Sequence, residues 1–416
     1  MSGLRENSMD FQKKRWGILI ASCLVTLCIG SLYAWSAFAS PMGKYLSECA
    51  GHEIASLAIV FTIANAVGPL TMISGGYIND KIGPKGILLV GGVLFGAGMI
   101  CSGFVTSLGM LIVTYGLGVG LGVGFIYGIT VSNTVKFFPD KGGFAGGLIT
   151  ACYGASSIIV PPVANALAEA YHVTTAFKVI GAVMMVIICA SAFVIKACPP
   201  DFHVGSVAAK SANAPAVKDS DFRAMLKSTD FYLMMLIMLC GAFSGMMVIS
   251  QASQIAQKMM GMTPATAAVI VSVIALFNTL GRLASGSLSD KVGATGTLRI
   301  TFAASLIASA LLAFFGESSI ELFCACLAVI GFAFGSIMGI YPGFTAARFG
   351  RKYNSVNYGI MFVGFALAGL FGPTVITNIF RTAGRYQPAF LVAAALAVVG
   401  EILIVFLRRS LNKREA

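Results

Sequence analysis

The sequence predicts an all-α membrane protein of twelve spanning helices, arranged as two related sets of six. Three observations carry this. Of the 416 residues, 57% are hydrophobic and 11% are charged, where a soluble domain usually carries about 25% charged residues. The chain contains twelve apolar runs, each near the roughly 20 residues that a membrane helix needs. One loop sequence recurs 210 residues further along the chain.

The predicted spans are 16–39, 54–79, 86–105, 109–134, 143–168, 174–197, 229–257, 264–288, 297–316, 320–345, 354–379 and 387–407. The first follows Lys13, Lys14 and Arg15. It is too long for the apolar segment of a signal peptide and reads as a membrane helix. Between the sixth and seventh runs the chain turns polar and rich in Pro, Ala, Ser and Lys. This divides it into an N-terminal bundle (1–198), a linker (199–228) and a C-terminal bundle (229–416). At the end of the linker, Phe222, Met225 and Leu226 fall on one helical face, which predicts a short interfacial helix.

Charge placement predicts orientation. Of the 28 Lys and Arg residues, 22 lie on the two tails and the even-numbered loops, five on the opposite face (Lys44, Lys178, Lys258, Arg381, Arg385), and one, Arg282, inside a span. The positive-inside rule then puts both termini in the cytoplasm, with the cell inner membrane as the expected location. The net charge of +12 is thus a topology signal, and the expected large partner is the lipid bilayer, not nucleic acid. Most of the ten cysteines sit within apolar runs without CxxC spacing or a histidine cluster. They read as small hydrophobes, and neither a metal site nor a cofactor is expected.

The recurring loop is Gly76-Tyr-Ile-Asn-Asp80-Lys81-Ile-Gly83 in one half and Gly286-Ser-Leu-Ser-Asp290-Lys291-Val-Gly293 in the other. Gly76 and Gly286 permit close helix contact. Asp80 and Asp290, at helix ends, suit acceptance of backbone N–H bonds or pairing with a basic residue of a neighbouring helix, a lock on one conformation. This Gly-x-x-x-Asp-Lys-x-Gly loop in both halves resembles the signature of the major facilitator superfamily, over nearly the whole chain. The resemblance implies two pseudo-symmetric six-helix bundles, a monomer, and alternating access by rocking of the bundles.

Arg282 is the residue that points to cargo. A cation within a membrane helix costs a few kcal/mol and normally faces a cavity or a partner, and no Asp or Glu lies in the stretch around it. The expected partner is an anionic substrate, since a guanidinium fork fits a carboxylate with two hydrogen bonds. Asn278, one turn earlier on the same face, is placed to bind the same group. Phe138-Pro139-Asp140-Lys141-Gly142, Ala145-Gly146, Asn278 to Asp290, and Asn357-Tyr358-Gly359 resemble the oxalate/formate antiporter and monocarboxylate transporter branch. By that resemblance Tyr127 and Tyr153 line the substrate cavity. The oxalate exchanger of this branch has a second buried cation in helix 11. The corresponding position here is Phe365, near Phe362. One cation facing an apolar wall suits a small monocarboxylate such as L-lactate or pyruvate. Tyr33, Tyr341, Trp35, Gln251 and Gln254 are weaker cavity candidates.

The remaining features define what the chain does not contain. The glycines 116, 118, 120, 122 and 124 lie in an apolar helix and signify close packing, not a nucleotide loop. Pro161 and Pro162 are expected to kink helix 5. No paired acids or activated nucleophile suggest an enzyme. His52, His172 and His203 fall in loops, so no proton carrier is evident in the spans. Proton-linked symport of a monocarboxylate is the expected activity; exchange of anions, as in the oxalate/formate type, is the alternative.

Overall fold

The computed structural model describes residues 2–415 except 55, 200–201 and 203–218; most of the expected linker, with His203, lies outside the described residues. Twelve helices among the described residues are long and apolar enough to cross a membrane: α1 Gln12–Ala50, α2 Ala58–Ile82, α3 Pro84–Ser102, α4 Leu108–Phe137, α5 Gly142–Ala170, α6 Val173–Val194, α7 Thr229–Ser250, α8 Pro264–Val292, α9 Ala294–Phe315, α10 Ile320–Phe349, α11 Asn354–Ala383 and α12 Gln387–Asn412. All twelve expected runs are present, and most extend beyond the apolar residues by a turn. Many large side chains on them are exposed, including Leu70 at 67% and Phe314 at 70%, as helices facing lipid tails require.

One sequence expectation needs correction. The seventh span ends at Ser250, not 257. Backbone at Gln251 leaves helical geometry (φ −115, ψ 9) and a separate helix follows, Ala252–Met260. Its buried residues Ala252, Ile255 and Ala256 join an apolar cluster with Ile270, Leu312, Phe323 and Phe390. The helix closes at Gly261, whose φ of +62 suits glycine. The interfacial helix is present as Phe222–Leu226, capped by Asp221 accepting the Ala224 N–H at 2.8 Å. Met225 alone of its three apolar residues is buried, while Leu226 is exposed. Helix α5 runs unbroken across Pro161 and Pro162.

The chain divides into two compact units. Unit 1 comprises Met1–Asp140, Cys152–Asp219 and Ala346–Ile360; unit 2 comprises Lys141–Ala151, Ser220–Thr345 and Met361–Ala416. Within unit 1, α3 packs on α6, α2 on α4, and α1 on α4 and α6; within unit 2, α9 packs on α12 and α7 on α11 and α12. The pairs α3–α6 and α9–α12 correspond under the sequence repeat, as do α1–α6 and α7–α12.

The glycines of α4 carry two interleaved packing stripes. Gly116, Gly120 and Gly124 face α2: a Cβ at Gly120 would lie 2.7 Å from the Ala64 Cα, and one at Gly124 would collide with the Gly68 carbonyl. Gly118 and Gly122 face α3 instead, where a Cβ at Gly122 would sit 2.7 Å from the Phe95 amide nitrogen. Four-residue spacing returns a residue to the same face, whereas a two-residue step turns it to another.

The α2–α4 interface recurs within unit 2 as α8–α10. Gly120 on Ala64, Gly124 on Gly68 and Gly128 on Met72 become Gly331 on Ile274, Gly335 on Asn278 and Gly339 on Arg282. The repeat visible in one loop therefore extends through a whole helix pair, and places Arg282 where the first half carries Met72.

Filling these contacts is expected to be costly. Gly124→Ala should destabilise the protein by about 1–3 kcal/mol through overpacking. Gly17→Ala, where an added Cβ meets nothing within 4 Å, should be neutral or stabilising through helix propensity. Thermal unfolding of the two variants in detergent measures the difference.

Candidate anion site and helix-capping carboxylates

Arg282 projects from α8 and is 1% exposed. Close backbone approach on two sides makes room for it. Gly147 of α5 would place a Cβ 2.5 Å from the Arg282 carbonyl, and Gly339 of α10 would clash with the same oxygen. Its Nε donates to Asn278 Oδ1 at 3.1 Å, and Nη1 donates to the Thr150 carbonyl of α5 at 2.9 Å. A guanidinium has five N–H donors, so three have no partner among the described residues. No carboxylate pairs with Arg282 among those residues either, whereas Arg15 pairs with Asp140, Lys136 with Asp80 and Arg299 with Glu401. Asn278 thus accepts from Arg282 in this structure and holds the fork in place.

The other candidates in unit 2 fall into two groups. Phe362 and Phe365 lie with ring centroids 4.5 Å apart, and Phe334 of α10 adds a third ring 6.0 Å from Phe365. Phe334 was not evident in the sequence as a site residue; the signal is Gly245 of α7, whose missing side chain leaves space for that ring. Tyr341 stands apart from this group. It is fully buried, and its hydroxyl donates to the Met234 carbonyl at 2.6 Å, a helix-to-helix tie between α10 and α7.

In unit 1 the structure brings three tyrosines together. Tyr153 packs edge-on against both Tyr33 and Tyr127, each at 5.1 Å between centroids, a favourable arrangement for aromatic quadrupoles. Tyr33 lies in the tight turn Gly30–Ala34 within α1. Gly30 lets that turn meet α5, since a Cβ there would collide with the Tyr153 carbonyl. Trp35 instead packs on Tyr115, 4.5 Å away. Gln251 marks the break after α7, and Gln254 is exposed.

The two motif carboxylates cap helices. In unit 1, Asp80 accepts from Lys136 Nζ at 2.7 Å and from the Val356 N–H, in the first turn of α11, at 3.1 Å. Gly76 allows the approach, because a Cβ there would lie 2.6 Å from the Ser355 carbonyl. In unit 2, Asp290 accepts the Gly143 and Phe144 N–H groups at the start of α5, both at 2.7 Å. Gly286 is again the point of contact, against Gly143. Both modes expected from the sequence occur: a basic partner together with one backbone donor for Asp80, and two backbone donors for Asp290. Gly83 and Gly293 close their helices with φ of +87 and +81, a region that favours glycine. Lys81 lies over the Tyr77 ring at 4.1 Å, and Lys291 is exposed.

These features define a class. Residues 20–373 match the family model of the Major Facilitator Superfamily, and the chain belongs to that superfamily: it is a multi-pass membrane transporter, not an enzyme. It is 28% identical over 393 residues to the oxalate:formate antiporter of Oxalobacter formigenes, covering 94% of this chain and 91% of that one. Monocarboxylate transporter 12 of Homo sapiens is 22% identical over 421 residues, covering 94% and 80%. The crystal structure of FucP, a major facilitator transporter in the outward conformation, matches the fold with a TM-score of 0.71 at 16% identity, covering 94% and 98% of the two chains.

Two outcomes test this geometry. Asp290→Ala leaves two N–H groups of α5 without their acceptor and should cost about 2 kcal/mol, with Asp290→Asn costing less; thermal unfolding in detergent reads both. Cys198, beyond the end of α6, has its thiol pushed up to about 12 by burial, partly opposed by Arg351 and Lys136. The thiolate is the reactive form, so below that pH its maleimide labelling should rise about tenfold per pH unit, as mass spectrometry of quenched samples can follow.

Proposed function

We propose that the protein carries a small monocarboxylate, such as L-lactate or pyruvate, by proton-coupled symport with alternating access. The observation that carries the reading is Arg282: a buried cation with no carboxylate partner among the described residues and uncommitted N–H groups. An anion supplies the missing charge, and a carboxylate matches the guanidinium fork. The names of relatives that transport carboxylates support the same chemistry. Phe365, backed by Phe334, is the apolar wall proposed to face the alkyl end of the cargo; Tyr33, Tyr127 and Tyr153 are proposed cavity-lining residues, packed on one another within unit 1.

The proposed cycle uses ties already described. A bound carboxylate competes for the Arg282 N–H that is donated to the Thr150 carbonyl. That competition loosens the start of α5 from α8 and favours a change of access. Asp80 and Asp290, with Gly76, Lys81, Gly83, Gly286, Lys291 and Gly293 around them, stabilise one end state through the α11 and α5 caps. The sequence-derived bundles 1–198 and 229–416 are the bodies proposed to move, as a monomer in the inner membrane with both termini cytoplasmic. Exchange of one anion for another is the second reading, favoured by the likeness to the oxalate:formate antiporter.

Uptake of labelled L-lactate into proteoliposomes should accumulate under an inward proton gradient without internal anion. Accumulation that requires internal oxalate or formate would establish exchange instead. Arg282→Ala should lose at least about 90% of uptake at unchanged expression, the loss of roughly 1.4 kcal/mol or more of binding; retained uptake overturns the site. Phe365→Lys should admit inhibition by a dicarboxylate such as oxalate, scored as competition against lactate.

A further inference from the structure

We propose that the rim formed by the α2–α3 turn and the end of α6, within unit 1, binds the headgroup of an anionic phospholipid. Three lysines meet there. Lys81 Nζ lies 4.1 Å over the Tyr77 ring, and Lys85 Nζ lies 4.5 Å over the ring of Phe193. Gly83 brings the turn against the segment after α6, where a Cβ on it would stand 3.3 Å from the Ala197 Cβ. Lys196, exposed, belongs to that segment.

The rim is built, not merely assembled from loop side chains. Asn133 of α4, 2% exposed, donates to the Lys196 carbonyl at 2.9 Å and accepts the Cys198 N–H at 3.4 Å. That buried amide fixes the backbone on which Lys196 rides. Ring stacking similarly limits where Lys81 and Lys85 place their ammonium groups.

Charge and polarity together select the ligand. Across α2, α3, α6 and residues 195–199, Asp80 is the one carboxylate among the described residues, and its oxygens are taken by Lys136 and the Val356 N–H. Among the described residues of these elements, no free carboxylate opposes the three cations. Beside them the surface is apolar, with Ile82 75%, Phe193 61% and Val194 50% exposed. A free phosphate would use the lysines and leave that surface bare. A phospholipid covers both, its phosphate on the ammonium groups and its acyl chains along Ile82, Phe193 and Val194. A zwitterionic headgroup brings its own cation and gains less.

Native mass spectrometry of the detergent-purified protein titrated with phosphatidylglycerol or phosphatidylcholine tests this. Phosphatidylglycerol should bind the wild type in preference to phosphatidylcholine. Combined Lys81→Gln, Lys85→Gln and Lys196→Gln should weaken it about a hundredfold, as expected from about 1 kcal/mol per basic residue at an anionic lipid surface. Lys44→Gln, Lys178→Gln and Lys258→Gln together remove equal charge elsewhere and should leave that binding unchanged. Should the triple rim variant not fold, Lys85→Gln with Lys196→Gln should still weaken binding more than tenfold. Equal binding of the two lipids, equal loss in both sets of variants, or displacement of phosphatidylglycerol by millimolar inorganic phosphate would each overturn the proposal.

Discussion

Arg282 sets the terms for the helices around it. A guanidinium at depth in an apolar helix must find hydrogen-bond acceptors, because no water or lipid supplies them there. The structure provides Asn278 from its own helix and the Thr150 carbonyl from α5. The second needs close approach of backbone to backbone between α5 and α8, which Gly147 permits at the Arg282 carbonyl itself. The bonds are neutral acceptors for a full charge, so they hold the fork without cancelling it. So arranged, the anion site proposed at Arg282 is preorganised while still able to exist without its ligand.

Close packing is the second theme, and it is what lets a charge be held at all. Van der Waals contact and helix shape, not a hydrophobic driving force, bring helices together in lipid. Glycines every four residues along α4 and α10 supply that contact against α2 and α8. The same three-step ladder occurs in both units, and two rungs turn polar: Gly124 on Gly68 in the first becomes Gly335 on Asn278 in the second. Where Gly128 meets Met72 in the first, Gly339 meets Arg282 in the second. The two halves share this packing, and one of them carries a buried cation at the rung where the other carries Met72.

The motif carboxylates show the repeat serving a third purpose. Asp80 and Asp290 each satisfy N–H groups in the first turn of a helix, which have no acceptor within the helix itself. Asp80 adds the ammonium of Lys136, which also donates to the Lys352 carbonyl at 3.2 Å; Asp290 receives two backbone donors. One sequence motif thus gives two different balances of charge, a difference created by the partners and not by the motif.

The sequence by itself determined the class of this protein. Spans, the repeat of 210 residues and the isolated Arg282 follow from local composition, because the bilayer imposes length and apolarity on every crossing helix. It also placed Asp80 and Asp290 at helix ends, where capping is a local consequence of chain geometry. Boundaries were less legible at Gln251, since an apolar run does not record where the backbone leaves helical geometry. Only the tertiary structure decided which partners each residue meets. Thr150 contributes a carbonyl, which no side-chain pattern reveals; Asn278 accepts from Arg282; Tyr341 spends its hydroxyl on Met234; Phe334 joins Phe365 because Gly245 leaves it space. Those outcomes depend on contacts between residues far apart in the chain, and a hydrogen bond or a ring stack forms only where packing has already fixed both of its ends.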